Sequence, residues 1–179
     1  MEDNTQNPGL KWGLLSGALL IATHLAFFMA GSNQQFGLAY TLTAFFIILI
    51  GAVVAGIIQR RHFGGFIAFR PVLKQTFLVC VISITLFCVY QYVYYNFIDI
   101  TAADKERTFN VQVIRKMMTT FQSKPNEIAD AVKNLEATDY HMTIGVFFYK
   151  LVQYIIRYFV LACIVSLIIR RKAPVTSNI

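Results

Sequence analysis

Between Lys11 and Arg60 the chain carries no Asp, Glu, Lys or Arg. A charge-free run of this length accommodates two membrane spans of about 20 residues each with a turn between them. Gly31-Ser32-Asn33-Gln34-Gln35 is polar, begins with glycine and lies midway, which predicts the turn there and helices near 10–30 and 36–58. A second charge-free run, Gln75 to Ile98, predicts a third span. His141 to Ile169, interrupted only by Lys150 and Arg157, predicts a fourth, closed by Arg170-Arg171-Lys172. Hydrophobic residues make up 56% of the 179 positions and charged ones 14%. Soluble domains need about 25% charge for their surface, so a soluble enzyme, a disordered regulator and a secreted disulfide scaffold are excluded.

The expected fold class is an all-α integral membrane protein with four transmembrane helices and a helical hairpin between the third and fourth spans. The corresponding boundaries are an N-terminus over 1–9, spans one and two over 10–58, a Gly-Gly-aromatic loop over 59–72, span three over 73–98, the hairpin over 99–140, span four over 141–169 and a basic tail over 170–179.

Orientation follows from basic residues beside short loops. With the N-terminus inside, Lys11, Arg60, Arg61, Arg70, Lys74, Arg170, Arg171 and Lys172 are all cytoplasmic. Every acidic residue except Glu2 and Asp3 lies between Asp99 and Asp139, on the other side. The expected location is the inner membrane, multi-pass, with both termini in the cytoplasm. The first span is read as retained, because Phe28-Met29-Ala30 lacks the small residue that a cleavage site needs at its first position. The net charge of +7 is accounted for by membrane-flanking residues, so anionic lipid headgroups are the expected partner and nucleic acid is not.

In the outer segment Phe109, Val113, Met117 and Phe121 recur every fourth residue, with Lys105, Arg107, Arg115 and Lys116 on other faces, which predicts an amphipathic helix. Ser123-Lys124-Pro125 breaks it, and Ile128, Val132 and Leu135 mark a second helix. Either the hairpin packs on itself and on the bundle, or it offers a docking surface to a periplasmic or membrane protein partner. On the opposite side, Arg60, Arg61, Gly64, Gly65 and Arg70, with three phenylalanines at intervals of three, form a candidate lipid-headgroup loop. An ordinary anchored turn is the competing reading.

The run Gly64-Gly65-Phe66-Ile67-Ala68-Phe69, followed by a span ending Tyr94-Tyr95-Asn96-Phe97-Ile98-Asp99, resembles the bacterial membrane family called domain of unknown function 4199. The resemblance covers nearly the whole chain. It implies a membrane location, this helix count and a last span with a basic tail. Family members encoded near envelope glycosyltransferases imply a link to envelope glycoconjugate assembly, without implying an activity.

Chemistry-bearing residues are sparse. Cys80, Cys88 and Cys163 all fall inside spans, which excludes a disulfide framework and suits core packing. His24, His62 and His141 belong to different depths, so no metal site is expected, and no cofactor motif is present. No carboxylate lies inside a span, which argues against proton-coupled transport. Gly9, Gly13 and Gly17 on the first helix, and Gly51/Ala55 and Ala52/Gly56 on the second, predict close packing of these two helices, with a homodimer seam as the alternative.

The costly feature is Arg157, roughly 20 Å from Arg170 by helical rise. An arginine near mid-bilayer costs about 2.5–3.5 kcal/mol on insertion scales. Lys150, Gln153, Tyr154 and Arg157 share one helix face, and His24, Tyr90, Gln91 and Tyr95 lie at comparable depth on other spans. These eight residues form a candidate intramembrane polar layer in which Arg157 is satisfied by the first and third helices. The expected function is a non-catalytic accessory or scaffold protein of the bacterial inner membrane. The alternative is a small transporter or lipid-binding protein using the Arg157 face.

Overall fold

The computed structural model describes residues 7–31 and 34–171. Glu2 and Asp3, Ser32 and Asn33 of the expected turn, and Lys172 with the rest of the basic tail lie outside the described residues.

Four helices are long and apolar enough to cross a membrane. Helix α1 spans Pro8–Met29; Asn7 caps it through Oδ1, which accepts from the Gly9 amide at 3.1 Å, and Pro8 sits where a missing N–H costs nothing. A short 3-10 turn, Gln34–Phe36, leads into α2, Leu38–His62. Helix α3, Phe69–Val93, continues into a π-helical turn at Tyr94–Ile98. The outer hairpin consists of α4, Ala102–Thr120, and α5, Pro125–Glu136, with the break where Pro125 predicts it. Helix α6, Ile144–Ile169, is capped by Thr143, whose hydroxyl accepts from the Val146 amide.

The loop expected over 59–72 is shorter than its composition suggests. Helix α2 runs on through Gln59, Arg60, Arg61 and His62, and α3 starts at Phe69 with Arg70 and Pro71 in its first turn. Only Phe63–Ala68 remains non-helical, and Gly64 and Gly65 turn the chain at φ +67° and +91°, a region open to glycine at little steric cost. Ile67 then exchanges both backbone hydrogen bonds with Arg171, at 2.9 and 3.1 Å, which pins the loop to the end of α6. At the same end the Gly9 amide donates to Gln75 Oε1 at 2.9 Å. The starts of α1 and α3 and the ends of α2 and α6 therefore share one end of the bundle. Lys11, Arg60, Arg61, Arg70, Lys74, Arg170 and Arg171 gather there, and the α4–α5 hairpin occupies the other end.

Helix α3 is the central element, packed against α1, α2 and α6. The glycines of α1 face α3, while the expected close approach of α1 and α2 is made at Gly51 of α2. A methyl on Gly9 would meet Gln75 and Leu78, one on Gly13 would meet Ile82, and one on Gly17 would meet Leu86. Gly51 of α2 meets Ser16 of α1, and Gly56 meets Ile169 of α6 and Thr76 of α3. Small residues thus open grooves for larger neighbours on whichever helix supplies them, which is how packing holds helices together where lipid removes the hydrophobic drive. Short polar side chains add interhelical bonds: Ser83 Oγ donates to the Gly13 carbonyl at 3.0 Å, and Thr76 Oγ1 and Ser166 Oγ lie 2.9 Å apart. Cys80 and Cys88 are fully buried in the main core and Cys163 is half-buried, all three as free thiols.

Candidate functional site

Polar and aromatic groups collect in the hairpin half of the bundle. On α1 the buried face runs Gly9, Gly13, Ser16, Gly17, Leu20, His24, so helical periodicity turns the imidazole inward. His24 is 1% exposed, and its Nδ1 lies 3.0 Å from Tyr90 Oη of α3. Four rings enclose it edge-on: Tyr94 at 4.8 Å between centroids, Tyr40 and Tyr90 at 5.4 Å, and Phe87 at 6.0 Å. His24 and Tyr90 are thus brought together as the shared depth predicts.

Gln91 lies one residue further along α3 and lines a cavity of about 130 Å³ together with Tyr40, Tyr154 and Tyr158. Tyr95 belongs to a different cluster. Its hydroxyl donates to Glu106 Oε2 of α4 at 2.6 Å, and Lys150 Nζ stands 5.7 Å from its ring centroid. Lys150 is thereby placed over an aromatic face that draws in a cation. Gln153 is half-buried and makes no side-chain hydrogen bond among the described residues.

Arg157 departs from the expectation. Its side chain is exposed, and no hydrogen bond or ion pair holds it among the described residues. The inward face of α6 runs through Leu151, Tyr154, Tyr158, Ala162, Val165 and Ile169. Position 157 is turned from Tyr154 by about 60° at 100° per residue, which leaves it on the flank of that face. The layer of eight therefore divides into a His24–Tyr90 core, Gln91 and Tyr154 at the cavity, a Tyr95–Lys150 contact, a half-buried Gln153 and an outward-facing Arg157.

Asp99 anchors the corner between α3 and α4. Its Oδ1 accepts from the Thr101 hydroxyl at 2.6 Å and the Thr101 amide at 3.2 Å; its Oδ2 accepts from Lys105 Nζ at 2.7 Å and Tyr94 Oη at 3.3 Å. Burial opposes ionisation of Asp99, but Lys105 and Thr101 together hold its carboxyl below the usual carboxylate range. At the far end of the hairpin, the amide and ring of His141 hold the Asp139 carboxyl below its usual range as well.

At the basic end, Arg60 is half-buried, while Arg61 and Arg70 are exposed beside the Gly64-Gly65 turn. Phe63 and Phe66 are exposed, and the Arg171 guanidinium stands 5.8 Å from the Phe66 ring centroid. This contact comes from the segment just after α6, which reading the loop by itself does not reveal.

Tyr40, Glu106 and Arg171 are the participants that sequence reasoning passes over. A signal for Tyr40 exists: it lies about as far beyond the Gly31–Gln35 turn as His24 lies before it, so an antiparallel helix pair sets the two level. Within the hairpin half, His24 is bonded to a phenol and not to a carboxylate, which suits packing and ligand contact rather than general-base chemistry. Among the described residues no three His, Cys, Asp or Glu side chains converge.

The family described as Protein of unknown function (DUF4199) matches residues 11–171. No curated protein and no solved structure matches the chain.

Proposed function

The chain belongs to this family of unknown function, and on that footing we propose that it is a non-catalytic accessory protein of a bacterial inner membrane. Its basic end faces the cytoplasm, the hairpin lies outside, and the hairpin reaches sideways to a neighbouring membrane protein. The positive-inside rule supports the orientation.

The hairpin supports the accessory role. Helix α4 starts beside the end of α3, where Ala102 and Ala103 are buried against Tyr94, Tyr95 and Met142. By Phe109 it has crossed to Phe36, with ring centroids 6.2 Å apart, and to Gly37 at the start of α2. Three further turns of α4 follow, and the helix packs chiefly on α5. The face buried at the root continues outward as Val113, Met117 and Phe121, which are 43%, 47% and 76% exposed, while α5 covers the opposite face. This exposed stripe suits the outer end of a second membrane protein that presents apolar side chains, and Lys116 at its edge favours one bordered by carboxylates.

A photo-crosslinking amino acid at Met117 in living cells tests this. The expected result is one discrete adduct with a membrane protein, lost on Phe121→Glu and not formed from Asn126. Adducts with lipid alone would overturn it. A cysteine at Asn126 should react only from outside and one at Arg61 only from inside; the reverse pattern would overturn the orientation.

A further inference from the structure

We propose that the cavity between α2, α3 and α6 is a membrane-facing binding site for an uncharged, hydroxyl-bearing ring carrying an apolar tail. Helices α2 and α6 converge near the basic end, where a methyl on Gly56 would come within 2.7 Å of Ile169 Cδ1 and where Val53 and Ile57 pack around Val165 and Ile169. Toward the hairpin end a cavity of about 130 Å³ lies between them, walled by Tyr40, Ala44, Phe87, Gln91, Tyr154 and Tyr158.

Two polar atoms at this wall lack partners. Tyr40 is 8% exposed, yet its hydroxyl makes no hydrogen bond among the described residues, and neither does Gln91 Oε1. Packing alone leaves such groups bonded in the great majority of cases, because a buried donor or acceptor without a partner costs about 1–3 kcal/mol. A group that accepts from the Tyr40 hydroxyl and donates to the Gln91 carbonyl satisfies both, and a hydroxyl does so with a single oxygen. No charged side chain lines the cavity, which selects an uncharged ligand. A cavity of roughly 150 Å³ holds benzene, so the space is that of one six-membered ring, and the aromatic walls suit edge and face contacts with it. Exposed Thr41 and half-buried Ala44, Tyr154 and Tyr158 line the cavity on its α2 and α6 sides, which gives an alkyl tail its exit into lipid. The site is independent of the hairpin and needs no partner protein.

The test uses the purified full-length chain in detergent and 4-hexylphenol bearing a diazirine at the end of its chain. Photolabelling should fall on peptides containing Tyr40–Ile48 or Tyr154–Tyr158. Unlabelled 4-hexylphenol should compete about tenfold better than hexylbenzene, as one or two net hydrogen bonds provide. Gln91→Leu and, separately, Tyr40→Phe should erase that preference, and Ala44→Phe should fill the cavity and abolish labelling while gel-filtration behaviour stays unchanged. Equal competition by the two compounds, or labelling spread evenly over the lipid-facing surface, would overturn the proposal in favour of a water-filled gap.

Discussion

Ile82 of α3 sits in the groove opened by Gly13 of α1, so close that a methyl on Gly13 would stand 2.9 Å from Ile82 Cβ. Both atoms belong to rigid parts of packed helices, and neither has a flexible end to swing away. Gly13→Val should destabilise the bundle by about 1–3 kcal/mol through overpacking. Thermal unfolding in mild detergent reads this directly. Adding Ile82→Ala to the same chain should restore most of the loss, since the two sites share one contact. Full additivity of the two substitutions would show that the seam lies elsewhere.

The Asp99 corner makes the hairpin root sensitive to acid. Because the folded carboxyl lies below its ordinary value, its stabilising contribution is complete above the unfolded value of about 3.9 and is lost as pH falls through the lower, folded value. Protection factors at Ala102–Glu106 should therefore fall on acidification across that window while those in the middle of α3 stay high. Asp99→Asn should show low protection there at all pH values and no acid transition of its own.

Removing the Tyr90 hydroxyl should leave His24 Nδ1 buried without its partner. Interhelical hydrogen bonds in membranes average about 0.6 kcal/mol and reach about 1.7. Tyr90→Phe should cost an amount in that range by steric-trap or thermal unfolding. His24→Ala should cost more, because four surrounding rings lose their contact as well. Equal losses would show that the hydrogen bond alone accounts for the site.

Arg157 offers the opposite case. Since the bundle does not hold its guanidinium, Arg157→Leu should change unfolding stability by no more than about 0.5 kcal/mol. Insertion of the fourth span should improve by an amount approaching 2.5–3.5 kcal/mol, read by glycosylation mapping of the isolated segment. A large drop in stability would place the guanidinium inside the bundle after all.

What the one-dimensional pattern settles here is whatever depends on solvent. Two charge-free runs and the sparsely charged one from His141 specify four spans, since lipid requires a spanning segment to pair its own backbone, as a long apolar helix does, and the expected bounds of α1 and α6 lie close to those observed. Pro125 places the hairpin break for the same local reason. Helix ends beside charge were less legible: Arg60, Arg61 and His62 look like loop residues, yet they prolong α2, because long cationic side chains reach the interface without the backbone leaving helical form. Rotation and partner choice were decided by the tertiary structure alone. An apolar face reads the same whether it meets lipid or another helix, so the pattern could not show that the α1 glycines face α3, that Arg157 turns outward, or that Arg171 pairs with Ile67. Those outcomes depend on which large side chain fills which groove, and that is a property of three helices packed together rather than of any one of them.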